Sequence, residues 1–296
     1  MKKLYIYIVA FLLAGNLQAQ DAMLAMMDDS NEKADPVSGM FKGNRLVNGH
    51  TTETVAKHHL DYKIHHRFGR INDGPYQFFG MDNAQMFMGF DYGVTDNLTV
   101  GVGRSNENKT FTGLAKYKLM TQTGKGKNSK PLSITWLSNV GMFSKKWSEM
   151  GLDSRKNFAS SRMSFTHQLL IAKKISSKMS LQLMPTFFHQ NLVTAADEKN
   201  DLYIMGVGGS FRLNRSTRFN VEYYPVLNRY KNSTTTNPFS IGFDIETGGH
   251  LFQLVLSNSR GMVENIFLPT TTGKWSKGDL YFGFNILRYF KLGKRR

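Results

Sequence analysis

The first candidates for chemistry in this sequence are four histidines of one short segment, His58, His59, His65 and His66. Alternate side chains of a β-strand share a face, so a strand here would place His59 and His65 on one polar face. The same face would carry Asp61, Lys63 and Arg67. His59 and His65 would lie roughly 20 Å apart along the strand, and a single metal ion cannot bind both without ligands from elsewhere. We therefore expect no metal site, and we interpret this face as an ion-pair network in which Asp61 compensates the neighbouring cations.

Catalytic and cofactor motifs are incomplete. In a strand around His167, the side chains of Ser164 and Thr166 would face away from the histidine, so no serine–histidine dyad lies on one strand face. A serine–histidine pair formed across two neighbouring strands is the alternative that this pattern leaves. The glycines of 101–103 and 206–209 lack the third glycine that a nucleotide-binding loop needs. We therefore predict no catalytic residues, no cofactor and no enzyme activity, with a lipid-modifying enzyme as the third alternative.

The N-terminal residues indicate export. Lys2 and Lys3 precede an apolar run, 4–14, and small residues follow up to Ala19, which is the pattern of a cleaved signal peptide. The run is shorter than the about 20 apolar residues that a transmembrane helix needs. Removal of 1–19 takes away two lysines, so the net charge changes from 38 − 22 = +16 to 36 − 22 = +14. This excess favours anionic neighbours such as lipopolysaccharide or an anionic solute over nucleic acid.

The rest of the chain is built from elements of period two, which is the signature of β-strands. In 85–93, for example, large apolar side chains alternate with glycines and polar residues. We predict about twelve strands, near 54–68, 84–94, 97–105, 110–121, 131–143, 161–173, 179–190, 201–212, 217–227, 237–246, 250–259 and 279–290. The segment 40–47 could form a further strand, and 20–35 reads as a short acidic lead-in.

Two all-β folds fit this pattern, a soluble sandwich and a transmembrane barrel. One face carries large apolar side chains on nearly every strand, while the other carries Gly, Ser, Thr, Gln and charged residues. Aromatic residues cluster near strand ends, as in the girdles of membrane barrels. Tight turns such as 95–97 and long polar loops at 144–160 and 260–278 also fit a barrel. We predict a transmembrane antiparallel up-and-down β-barrel, with a signal peptide (1–19), a lead-in segment (20–50) and the barrel itself (51–296).

Several motifs are similar to those of a barrel family in Gram-negative Bacteroidetes. The run His65-His66-Arg67-Phe68-Gly69 contains the HRFG signature of that family. Further similar segments are FKGNRLVNGH at 41–50, YGVTDNLTVGVGRS at 92–105, KYKL at 116–119 and GDLYFGFNI at 278–286. The chain thus resembles the domain of unknown function 5777. The resemblance implies an outer-membrane β-barrel and no particular activity.

Charged side chains of the predicted polar faces would line the lumen, namely Asp61, Lys63, His65, Arg67, Asp91, Lys116, Lys118, Arg218, Glu222, Asp244 and Glu246. If they pair across the bore they fill it, and the barrel is a scaffold. If they segregate, their field guides a charged solute through a wet pore. We predict a channel or facilitator for a small solute, anionic solutes included, with the lumenal Lys and Arg as selectivity residues. The alternative is a closed barrel that anchors or assembles other components, with 144–160 and 260–278 as its contact surface.

The expected partners follow from the predicted location in the outer membrane of a Gram-negative bacterium. They are outer-membrane lipid, lipopolysaccharide, a small-molecule solute and the outer-membrane assembly machinery. The basic loop 124–130 could contact lipopolysaccharide phosphates, or it could be a solvated loop. We expect a monomer, with no nucleic-acid partner.

Overall fold

Alternation of apolar and polar side chains along the chain builds twelve antiparallel strands that close into one barrel. The computed structural model describes residues 34–193 and 197–292. The strands are β1 His59–Arg70, β2 Ala84–Gly93, β3 Leu98–Ser105, β4 Thr110–Met120, β5 Ser133–Phe143, β6 Met163–Lys174, β7 Met179–Gln190, β8 Asp201–Arg212, β9 Thr217–Tyr223, β10 Phe239–Thr247, β11 His250–Ser257 and β12 Tyr281–Lys291. Each strand pairs with its sequence neighbours, and β1 pairs with β12. The predicted up-and-down barrel is therefore confirmed.

Closure satisfies the backbone hydrogen bonds of every strand, which a hydrocarbon environment demands because it offers no water to an open edge. One short helix, α1 (Glu264–Thr270), lies between β11 and β12. Within the described part of the chain, no helix is long and apolar enough to cross a membrane.

The two ends of the barrel differ. At the end where β1 begins and β12 ends, the connections 94–97, 175–178, 213–216 and 248–249 are tight, and only 121–132 is longer. We call this the turn end. The other end, the loop end, carries the longer connections 71–83, 144–162, 191–200, 224–238 and 258–280, with one short link at 106–109. In bacterial outer-membrane barrels the turns face the periplasm and the loops face outside.

The outward face is apolar and aromatic, as the strand pattern predicts. Phe90, Trp136, Tyr203 and Phe243 are all exposed on this face. In water these side chains would form a large apolar surface, which soluble monomers avoid. These exposed apolar side chains are stable in contact with the hydrocarbon chains of a membrane.

The inward face departs from the prediction on one side of the barrel. We expected it to be polar or small throughout, but β5 to β8 point Leu137, Leu170, Met184, Phe188 and Ile204 into the lumen. This expectation is wrong because these side chains have an apolar partner inside the barrel. Phe267 and Leu268 of α1 pack into the same cluster.

The interior is filled from the turn end by residues 39–56, which we call the lumenal hairpin. The chain enters the barrel, turns at 45–50 and returns to the start of β1, with a bridge between Arg45 and His50. Leu46, Val47 and Asn48 at its tip are buried. The prediction of a further strand at 40–47 is wrong, because this segment pairs with itself and with lumenal side chains instead of joining the sheet. The predicted signal peptide (1–19) and most of the acidic lead-in (20–33) lie outside the described residues.

The interior is filled from the loop end by the start of the β11–β12 connection. Residues 261–268 are buried inside the barrel, and Glu264 and Phe267 of α1 are fully enclosed. The expectation that 260–278 forms an outer contact surface is therefore wrong for 261–268. Apolar residues in this stretch bury themselves against the lumenal cluster of β5 to β8.

Candidate functional site

The charged residues predicted to line the lumen lie on the inward faces of β1, β2, β4, β9 and β10. Nine of them have side chains that are at most 5% exposed, namely Asp61, Lys63, His65, Arg67, Asp91, Lys116, Arg218, Glu222 and Asp244. Lys118 and Glu246 lie at the turn-end rim, where their side chains are 19% and 51% exposed. The lumenal hairpin covers the buried groups, so this conformation is closed.

Three cations of the wall bind neutral oxygens of the hairpin. Arg67 donates from Nη2 to Oδ1 of Asn48 over 2.8 Å. Arg218 donates to the carbonyl oxygens of Gly39 and Met40, each over 2.9 Å. Lys116 donates to the carbonyl oxygen of Glu53. These hydrogen bonds hold the hairpin in place without neutralising the cations.

The carboxylates of the wall are held in different ways. Asp91 pairs with Lys63 and accepts a hydrogen bond from Nδ2 of Asn44 over 3.0 Å. Asp244 accepts from Nε2 of Gln253 over 2.6 Å. The interpretation that Asp61 compensates the nearby cations is wrong in detail, because Lys63 forms its ion pair with Asp91.

Glu222 binds the tip of the hairpin through the main chain. Its carboxylate accepts hydrogen bonds from the backbone N–H groups of Val47, Asn48 and Gly49 over 3.2, 2.8 and 3.1 Å. Three successive N–H groups that converge on one anion form a nest. The tip is thus anchored on β9 by charge-assisted hydrogen bonds.

The two segments that fill the barrel meet at a buried ion pair. Nη1 of Arg45, in the hairpin, lies 2.9 Å from Oε1 of Glu264, at the start of α1. Nε2 of His50 lies 3.9 Å from the same oxygen, and Nδ2 of Asn139 donates to Glu264 over 3.4 Å. Sequence reasoning missed this pair because one residue was assigned to a lead-in and the other to a solvated loop. The signal was a single acid inside the apolar stretch 262–268.

The rim of the turn end carries two more contacts between hairpin and barrel. Lys42 pairs with Glu246. Nζ of Lys118 lies 4.0 Å from Oε2 of Glu53. Both pairs are partly exposed, so each contributes about 1 kcal/mol at most. A cleft of about 310 Å³ opens here between the two limbs of the hairpin and Tyr289.

Glycines of the tip and of the inward face let the two surfaces fit together. A Cβ added at Gly49 would overlap the hydroxyl of Tyr224 and lie 2.9 Å from its Cζ atom. A Cβ added at Gly206, on the wall, would lie 2.6 Å from the same ring. Tyr224 itself packs edge-on against Phe267, with ring centroids 5.2 Å apart. The tip, the wall and α1 therefore fit closely around one tyrosine.

A serine–histidine pair does occur across two strands, on the lipid-facing side. Oγ of Ser138 on β5 lies 2.9 Å from Nδ1 of His167 on β6, and Trp136 donates to the same serine. In the described chain His167 has no other hydrogen-bond partner, so the third group that orients a catalytic histidine is lacking there. The two groups satisfy each other in a region that offers no water. Over the same residues, no three His, Cys, Asp or Glu side chains converge as metal ligands.

The basic loop 124–130 belongs to the β4–β5 connection at the turn end. Its contact with lipopolysaccharide stays a prediction. Residues 123 and 124 pair with Pro36 and Asp35, where the chain approaches the barrel.

Solved structures that match much of this chain at low identity include a porin and a channel. The NanC porin is 9% identical with a TM-score of 0.46, covering 79% of this chain and 100% of its own. OmpF of Salmonella typhi in complex with daunomycin is 7% identical with a TM-score of 0.35, covering 78% and 96%. The CymD monoaromatic hydrocarbon channel is 10% identical with a TM-score of 0.33, covering 81% and 90%. Such low identities say nothing about what this chain binds.

The comparison with curated proteins gives no match. The model of a protein family described as a membrane-bound β-barrel domain matches residues 41–290, which includes the tip of the hairpin as well as the strands. With its closed twelve-stranded barrel and lipid-facing aromatic surface, the protein is placed in the outer membrane of a Gram-negative bacterium. The chain belongs to this family, the domain of unknown function 5777.

Proposed function

We propose that this barrel is a gated facilitator for a small polar solute, and that the lumenal hairpin is its gate. The observation that carries the proposal is the charged wall that faces the hairpin. Burial of ionisable side chains at membrane depth costs free energy, and such residues are typical of solute pathways. A lumen built only to be filled would be more stable with apolar residues, since buried charges contribute little net stability. The apolar lining of β5 to β8 against α1 is an example of such filling.

The geometry of the hairpin allows it to leave. Both of its limbs pass through the turn end, so withdrawal breaks no strand pairing and threads no loop. Its contacts with β1, β4 and β9 are mainly hydrogen bonds to charged groups, which water would replace after withdrawal. The solute would then pass along Lys63, Arg67, Lys116 and Arg218.

At rest the gate is closed. Withdrawal would expose Met40, Phe41, Leu46 and Val47, each at most 5% exposed in the closed state. At about 1.5–3 kcal/mol for each side chain, the apolar term alone is roughly 6–12 kcal/mol. Each 1.4 kcal/mol is a factor of ten, so fewer than about one molecule in ten thousand would be open without a partner or ligand. We therefore expect the native protein to carry no steady current in a planar bilayer.

A substitution at the tip tests the gate. Gly49→Val cannot seat beside Tyr224, because even a Cβ overlaps the tyrosine hydroxyl. We expect G49V to fold as a barrel and to conduct ions in a planar bilayer. Gly39→Ala is the matched control, because a Cβ there meets nothing within 4 Å. Its left-handed backbone, with φ of +62°, adds strain of roughly 1–2 kcal/mol, well below the cost of opening, and we expect it to stay silent.

A cysteine reporter separates the gate from the scaffold alternative. The chain has no cysteine, so Val47→Cys introduces a unique thiol at the buried tip. In the G49V background we expect a water-soluble maleimide to label this thiol, which shows that the tip has left its seat. A labelled but silent G49V barrel would contradict the facilitator and favour a closed anchor or assembly scaffold.

A further inference from the structure

The nest at the hairpin tip has the geometry of a preformed binding site for an oxyanion. The N–H groups of Val47, Asn48 and Gly49 all point at one carboxylate, which they bind over 2.8–3.2 Å. Main-chain N–H groups in this arrangement bind both carboxylates and phosphates, because they donate hydrogen bonds to the negatively charged oxygens and make no contact with the rest of the molecule. In the closed state the group that occupies the nest is Glu222, a residue of the wall.

Cationic residues surround the nest. Arg67 donates to the side chain of Asn48, the central residue of the nest. Arg45 precedes the nest and extends toward Asn48 and Glu264. An anion held by the three N–H groups would therefore sit among positive charges in a low-dielectric surrounding, where electrostatic attraction is strong.

Glu222 differs from the other wall carboxylates in how it is held. Asp91 is bound by the side chains of Lys63 and Asn44, and Asp244 by the side chain of Gln253. Those contacts come from side chains that also serve the wall or the limbs of the hairpin. The hydrogen bonds of Glu222 come from the main chain of the tip, so an external anion could take the place of its carboxylate without a rearrangement of the side chains of the tip.

We infer that the nest of residues 47–49 is the recognition site for the oxyanion of the solute, and that Glu222 is its built-in competitor. A small carboxylate or phosphate that takes the nest breaks the attachment of the tip to the Glu222 carboxylate on β9, and so removes one of the contacts that hold the gate closed. This inference rests on the proposed gate and names the chemical class of solute that operates it. The tethered Glu222 competes at high effective concentration, so a free anion binds the native protein more weakly than a protein without this carboxylate.

The test removes the competitor and asks whether the nest then binds an anion. Full-length protein with Glu222→Ala, labelled with ¹⁵N-glycine and held in detergent micelles, is titrated with sodium acetate and, separately, with sodium phosphate at constant ionic strength. The readout is the amide resonance of Gly49, identified by its absence in the G49V spectrum. We expect a saturable shift of this resonance in E222A, with a dissociation constant at least about tenfold lower than in the native protein.

Asp244→Ala is the matched control, because it removes a buried wall carboxylate that no main-chain nest holds. We expect the Gly49 resonance of D244A to respond to the anions no more than that of the native protein. Glu222→Gln keeps the shape of the side chain and guards against a failure of E222A to fold. Its neutral amide should hold the nest less firmly, and saturable binding should again appear.

Each outcome has one meaning. Saturation by acetate alone assigns carboxylates, saturation by phosphate alone assigns phosphates, and saturation by both assigns oxyanions in general. No saturable shift in folded E222A or E222Q overturns the inference and leaves Glu222 as an anchor of the tip. The current of G49V is measured without any anion titration, so failure of the nest and failure of the gate are separate results.

Discussion

The ion pair of Arg45 and Glu264 provides the sharpest test of how the lumen is held closed. At 2.9 Å and an effective dielectric constant of about 20, the attraction between the two charges is about 6 kcal/mol. The desolvation of each ion costs several kcal/mol, so the pair contributes little net stability. Removal of one partner is different, because the other charge stays buried without compensation. We expect Arg45→Met or Glu264→Met alone to lower the free energy of unfolding by about 3–5 kcal/mol.

The double variant should recover most of this loss. With both charges replaced by methionine, the remaining defects are the carbonyl oxygen of Asn48, which loses its hydrogen bond from Arg45, and Nδ2 of Asn139, which loses its long contact of 3.4 Å with Glu264. A lost buried hydrogen bond costs about 1–3 kcal/mol, so we expect R45M/E264M to lie within about 3 kcal/mol of the native protein. The coupling energy of the cycle is then at least about 3 kcal/mol.

The assay is equilibrium urea unfolding of the barrel in lipid vesicles, followed by tryptophan fluorescence. The rim pair of Lys42 and Glu246 is the matched control, because its side chains are 21% and 51% exposed. Methionine at either position should cost less than about 1 kcal/mol. Single losses below 1 kcal/mol at Arg45 and Glu264, or losses that simply add in the double variant, would refute the view that this pair joins the two filling segments.

Two further predictions concern the packing and the pH response of the barrel. Phe267→Ala should destabilise the protein by about 3–5 kcal/mol in the same urea assay, because it opens a cavity in the lumenal apolar cluster; Phe243→Ala faces lipid and should cost clearly less, and equal losses would contradict the assigned faces. At the loop end, hydrogen bonds from the Asn72 side chain and the Lys274 backbone hold the pKa of Asp279 below its usual range. The stability that these bonds add is therefore present above the ordinary aspartate pKa and is lost as the pH falls through the lowered value. An NMR titration of the Asp279 carboxylate should show the low midpoint, and Asn72→Ala should raise it; an unchanged midpoint would exclude the Asn72 hydrogen bond as its main cause.

The sequence by itself determined which segments form the strands of the barrel wall and which of their side chains face lipid or the lumen. Alternation of the kind seen around Phe90 and Phe243 has a period of two, and each side chain on a paired strand must take one of two faces. The strand number, the lipid-facing surface and the inward position of Lys63, Arg67 and Glu222 follow from that local rule. The pairing of β1 with β12 also follows, because a barrel in hydrocarbon must close.

Only the tertiary structure decided what occupies the lumen. Residues 39–56 form no strand of the sheet, and many of their hydrogen-bond partners are distant in the sequence, as with Gly49 and Glu222. The apolar residues around Phe267 fit a loop as well as a core until the facing strands are known. Such contacts depend on the width of the closed barrel, which leaves more space than its own side chains fill at twelve strands. The physical reason is that the pattern of residues near each other in the sequence determines how strands pair. The contacts that fill the cavity form between distant segments, which meet only after the barrel has closed.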